Sequence, residues 1–199
     1  MADDKSGREK QAANAERRQR KREIEMELER GDEPEPEIDP SELAYFETEL
    51  ESVSFPATGA DIVDALGEAE IESDEGTYEI RALLPETDVE TFETPKDVRV
   101  RIQRPTVAEA MKRVVEAIGS LSNVDYGTSQ RNAYERTFLA LRAIDADDDD
   151  EGIEVIREWI VERINEDGQL PSSRDVRREA AKFCRANGYE VRNDEWIGV

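Results

Sequence analysis

Apolar side chains in this chain recur every three or four residues. Ile153, Ile156, Trp159, Ile160 and Ile164 form the strongest stripe. Tyr134, Phe138 and Leu141 form a second, and Val176, Ala180, Phe183 and Cys184 a third. Earlier in the chain, Met111, Val114, Val115 and Ile118 follow Thr106, and Ile62, Val63 and Leu66 follow Thr58. At 3.6 residues per turn this spacing sets each group on one helix face, whereas a strand would need apolar residues at every second position. The pattern predicts a mainly α fold in which these residues, Cys184 included, form core.

Helix starts are also written into the chain. A Ser, Thr or Asp can cap a helix when an acid three residues later returns the hydrogen bond. Thr58 with Asp61, Thr94 with Asp97, Thr106 with Glu109 and Ser172 with Asp175 have that spacing. Asp39-Pro40-Ser41-Glu42 adds a proline at the first helical position, where its missing N–H costs nothing. Residues 96–103 carry two signals. Val98, Val100 and Ile102 alternate with Arg99, Arg101 and Gln103, which is strand periodicity, while Thr94 and Asp97 predict a helix. We read a short helix ending before Pro105, with a minor β strand over 96–103 as the alternative.

Residues 1–30 offer no comparable face. Between Lys5 and Arg22 lie eight basic residues opposed only by Glu9 and Glu16, and after Met1 the only apolar side chains before Ile24 are alanines. This composition favours an exposed helix with almost nothing to bury. Gly31 to Pro40 (GDEPEPEIDP) reads as an extended linker. The expected organisation is a charged arm and linker over 1–40, a small helical domain over 41–122 and a helical C-terminal unit over 125–199.

Hydrophobic residues are 37% of the 199 and charged residues 39%, so the core is small for the length. The net charge is −23, and 21 of the 27 basic residues are arginine. Salt near 1 M screens charge over roughly 3 Å, so such self-repulsion is tolerable in a concentrated salt solution. The acidity runs from about residue 23 to residue 195, which argues for a halophilic interior rather than an acidic tail. No apolar run approaches the roughly 18 residues of a membrane span, and the charged N-terminus is unlike a signal peptide. The lone Cys184 forms no internal disulfide. A cytoplasmic protein without membrane partners is the expectation.

Phe55-Pro56-Ala57-Thr58, continuing into Ala60-Asp61-Ile62-Val63, and Phe92-Glu93-Thr94-Pro95-Lys96-Asp97-Val98-Arg99 together resemble a group of small haloarchaeal proteins of unassigned function. These share a charged N-terminal arm, an FPAT-like helix start and a later start of the form F-x-[ST]-x-x-[DE]-V-R. The resemblance covers about residues 1–104. It implies a helical domain and a haloarchaeal cytoplasm, and it supplies no activity and no catalytic residue.

Residues 153–186 resemble the opening of winged helix-turn-helix repressors, in which P-S-x-R-[DE]-[LIV] follows a first helix and a glycine turn. Pro171-Ser172-Ser173-Arg174-Asp175-Val176 has that form. The next helix carries Arg174, Arg177, Arg178, Lys182 and Arg185 against Asp175 and Glu179. Arginine on such a helix can contact phosphates or guanine edges. The pattern departs from those repressors afterwards. Helical spacing runs to about Ala186, Asn187-Gly188 is the expected stop, and eleven residues are too few for a recognition helix and a wing.

Two more basic islands stand out against the acidic background: the N-terminal arm, and Lys96, Arg99, Arg101, Arg104, Lys112 and Arg113. They could follow a phosphate backbone or pair with the protein's own acids. Asp147, Asp149, Glu151 and Glu158 fall at positions 1, 3, 5 and 12 of a calcium loop with Gly152 at position 6. Glu151 stands where Asp or Asn is usual and Glu154 where an aliphatic residue is usual. The run reads instead as a solvated linker whose last acids favour the following helix N-terminus. Without histidine there is no imidazole base or zinc ligand, and no glycine-rich phosphate loop is present. The expectation is a non-enzymatic protein with no cofactor and no assigned metal. It contacts nucleic acid through Arg174, Arg177, Arg178, Lys182 and Arg185, in a transcription-regulating role among others, or serves as a protein–protein adaptor.

Overall fold

A computed structural model describes residues 37–73, 76–121, 126–144 and 150–189. The arm and most of the linker lie outside them. The first helix, α1 (Pro40–Glu49), begins as the sequence predicts. The Asp39 carboxylate accepts the Ser41 N–H at 2.7 Å, and Pro40 stands at the first position. A single 3₁₀ turn (Leu50–Ser52) leads to strand β1 (Ala57–Thr58) and helix α2 (Gly59–Leu66). Both halves of the α2 capping box form. The Thr58 hydroxyl accepts the Asp61 N–H at 3.2 Å, and the Asp61 carboxylate accepts the Thr58 N–H at 2.9 Å.

Three elements follow without a strong sequence signal. Strands β2 (Glu70–Ser73) and β3 (Gly76–Glu79) pair antiparallel, and a four-residue helix α3 (Ile80–Leu83) follows. Strand β4 (Thr91–Phe92) then pairs antiparallel with β1, placing Ala57 opposite Phe92 and Thr58 opposite Thr91. The ladder joins the two stretches that carried the haloarchaeal resemblance.

Residues 96–103 are helical in α4 (Pro95–Ile102). The Asp97 carboxylate accepts both the Thr94 N–H and hydroxyl at 2.9 Å. Burial follows the helix period: Val98 and Ile102 are buried, while Val100 between them is 45% exposed. Helix α5 (Pro105–Gly119) starts earlier than the Thr106–Glu109 pair suggested. Pro105, with its preset φ, takes the first position, so Thr106 is already inside the helix and Arg104 occupies the cap.

The C-terminal helices are α6 (Thr128–Arg142), α7 (Glu151–Asp167) and α8 (Ser173–Ala186). Gly168 closes α7 in the left-handed region at φ +61°. At the end of α8, Gly188 adopts φ +77°, and the Tyr189 N–H returns to the Cys184 carbonyl at 2.9 Å. This is the glycine stop expected from Asn187-Gly188.

The described residues bury two apolar clusters. One gathers Leu43, Phe46, Ile62, Ile80, Leu83, Phe92, Val98 and Ile102 from α1 to α4 and the strands. The other gathers the stripes of α6, α7 and α8. Helix α5 serves both, giving Ala108 to the first and Val107, Ala110, Met111, Val114 and Ile118 to the second. All described residues fall in one compact unit beginning at Glu35. No helix among them is long and apolar enough to cross a membrane.

Candidate functional site

Helix α8 is fixed in place by its apolar face and by the turn before it. Val176, Ala180, Ala181 and Cys184 are buried. Burial also pushes the Cys184 thiol pKa up, which keeps it protonated and unreactive. The Ser172 hydroxyl accepts the Asp175 N–H at 3.2 Å and starts the helix. One residue earlier, the Pro171 carbonyl accepts hydrogen bonds from the Tyr134 hydroxyl and from Gln130 Nε2, which ties the turn to α6.

That anchoring leaves the basic residues outside. Arg174, Arg178, Lys182 and Arg185 are exposed, at spacings of four, four and three that keep them on one side of the helix. Arg177 is half-buried, and its Nε donates to the Ser173 carbonyl at 3.2 Å. Two of the exposed cations have acids beside them: Arg178 lies 3.3 Å from Asp175, and Lys182 lies 2.7 Å from Glu179. Arg174 and Arg185 have no partner among the described residues.

The second basic island is largely internal. Arg101 and Arg104 are buried and Arg99 is half-buried. Arg99 pairs with Glu47 at 3.2 Å. The buried Lys112 donates to the Arg81 and Leu84 carbonyls at 2.5 and 3.2 Å, closing the last turn of α3. Its ammonium also lies 3.0 Å from Glu116 and 3.6 Å from Glu86. Lys96 and Arg113 alone of the six are exposed. The island therefore meets the protein's own acids and carbonyls rather than forming one open basic surface.

Arg101 centres a cluster that sequence reading did not find. Its two terminal nitrogens meet both oxygens of Glu90, while Nε lies 3.3 Å from Glu135. Arg131 lies 3.4 Å from Glu90 and donates to the Thr91 carbonyl. Burial alone would lower the Arg101 pKa, but the neighbouring Glu135 and Glu90 carboxylates hold it above its ordinary value. The Tyr126 hydroxyl is buried beside this group with no hydrogen-bond partner among the described residues, and burial followed by the Glu90 charge raises its pKa. One signal was available: on a helix, Arg101 lies three residues after Val98 and so on the same side as that apolar position. The cluster joins α4 to α6 with two cations and two anions, so its charges are compensated internally.

An open groove of about 640 Å³ is lined by Arg113, Arg157, Glu158, Val161, Glu162, Asn165 and Glu166. Arg157 already pairs with Glu154 at 3.1 Å, leaving a lining of mixed sign. In the calcium pattern, Asp147 and Asp149 lie outside the described residues. Glu151 and Glu158 stand on one continuous helix, α7, where a calcium loop would need them to wrap around an ion. No group of three metal-ligating side chains occurs among the described residues.

Residues 40–114 match a family described as a family of unknown function (DUF5789). No curated protein and no solved structure matches the chain. The matched stretch includes both capping boxes and the β1–β4 ladder, and it stops short of α6, α7 and α8.

Proposed function

We propose a non-enzymatic, nucleic-acid-associated protein of a halophilic cytoplasm that uses α8 as its contact element. The observation that carries this reading is the exposed stripe Arg174, Arg178, Lys182 and Arg185 in a chain of net charge −23. Where acid is the surface default, a helix with four cations on one side is the exception, and phosphate is the ligand chemistry it suits. A transcription-regulating role is consistent with the helix-turn-helix-like opening. A halophilic setting is supported by the preference for arginine, whose planar, weakly hydrated guanidinium pairs well inside a protein.

The mixed-sign groove beside Arg113 and Arg157 favours the second reading, an adaptor that binds another protein. A gel-shift titration of the full chain with DNA and RNA, from molar KCl downward, separates the two. The proposal expects shifted complexes that the Arg174→Ala/Arg178→Ala/Arg185→Ala variant loses. A wild-type protein that shifts neither nucleic acid overturns it and leaves the adaptor.

A further inference from the structure

We infer that the nucleic acid bound by α8 is duplex DNA, with Arg174 and Arg185 set on the two phosphate rims of one major groove. This rests on the nucleic-acid reading above and specifies its ligand.

The four cations of the stripe are not equivalent. Arg178 and Lys182, in the middle, pair with Asp175 and Glu179 one turn earlier. Arg174 and Arg185, at the two ends, are exposed and have no partner among the described residues. They stand eleven positions apart. That is close to three turns, so both leave the helix in the same direction, about 16 Å apart along its axis. The major groove of B-DNA is about 12 Å wide and admits a helix, whereas the minor groove is about 6 Å wide and does not. A helix crossing the major groove therefore carries one guanidinium, unpaired among the described residues, past each edge, toward the phosphates of opposite strands. A-form RNA offers a deep, narrow major groove that side chains cannot enter. A single strand has no second rim.

The same geometry predicts weak sequence preference. Rim contacts position a helix without reading bases, and each central cation that would point at base edges has an acid within 3.3 Å competing for it.

Fluorescence anisotropy with the full chain tests this, using labelled DNA duplexes of about 20 bp, roughly two helical turns. Two unrelated sequences, the matching single strand and an RNA duplex complete the set. We expect the two DNA duplexes to bind within about threefold of each other, and about tenfold more tightly than single strand or RNA duplex. Arg174→Ala and Arg185→Ala should each weaken duplex binding about fivefold or more, while Arg178→Ala/Lys182→Ala should change it less than about twofold. Equal affinity for single-stranded DNA or RNA duplex overturns the inference while leaving nucleic-acid binding intact. Greater damage from the central pair than from the end pair also overturns it. Absence of binding to every probe defeats the underlying reading as well.

Discussion

Arg101 Nη2 lies 2.8 Å from Glu90 Oε1, and Nη1 lies 3.3 Å from Oε2, with the side chains 4% and 0% exposed. This bidentate pair is the most deeply buried ionic contact among the described residues, and the Arg101 guanidinium also lies over the Phe92 ring at 6.0 Å. Removing one partner takes the bidentate contact from a buried charge and leaves it one counter-ion, Arg131 for Glu90 or Glu135 for Arg101. Arg101→Met or Glu90→Gln should each destabilise by about 3–5 kcal/mol, whereas replacing both by apolar residues of similar volume should cost less than the two single changes together. Guanidinium denaturation of the single and double variants measures this.

The capping carboxylates predict acid sensitivity with a definite sign. Hydrogen bonds from the Thr58 N–H and hydroxyl hold the Asp61 pKa below its ordinary value of 3.8. A carboxylate depressed in the folded state stabilises fully above its unfolded pKa, and that contribution is lost as pH falls through the folded value. Stability should therefore drop below about pH 4, and Asp61→Asn should flatten this part of the pH profile. Glu109 opposes the trend: burial raises its pKa, so protonating it relieves a cost as pH falls. Denaturant midpoints measured across this range for wild type and the Asp61→Asn variant check the sign.

Gly59 and Gly168 should respond differently to alanine. A Cβ on Gly59 would stand 2.3 Å from the Pro85 carbonyl oxygen, and backbone cannot swing aside as a side-chain tip can. Gly59→Ala should cost about 3 kcal/mol or more, at the upper end of overpacking. Gly168 has open space around it, but its φ is +61°. Gly168→Ala should cost only about 1 kcal/mol, from the left-handed backbone alone. Thermal unfolding of both variants ranks them.

The salt response of DNA binding should count contacts. Two phosphate contacts from Arg174 and Arg185 give a slope of log K against log salt of about −1.8, against about −3.6 if all four cations engage. Anisotropy titrations in KCl distinguish these slopes.

What the sequence disclosed depended on the range of the interaction. The Thr58–Asp61 and Thr94–Asp97 pairs span three residues, and each formed where the spacing placed it. At 96–103 the local cap outweighed the alternating pattern: the helix read from Thr94 and Asp97 formed, with Val98 and Ile102 buried and Val100 exposed. The β2–β3 hairpin was hidden because Ile71 is its only buried side chain, too little for a period-two signal. For Arg101 the sequence left two readings open, a phosphate contact or a pairing with the protein's own acids, because nothing local to it announces Glu90 or, thirty-four positions away, Glu135. The basic stripe on α8 was legible because a helix with one apolar side fixes its other side by arithmetic alone.

Helix α5 makes the two apolar clusters depend on each other. The family match ends at residue 114, within a helix that runs to Gly119. The shared segment therefore ends part-way along a beam whose second side, with Val107, Met111 and Val114, is roofed by α6, α7 and α8. A chain cut where that match ends would bare Val107, Met111 and Val114 to water, so the matched stretch leans on the C-terminal helices for half the burial of its last helix.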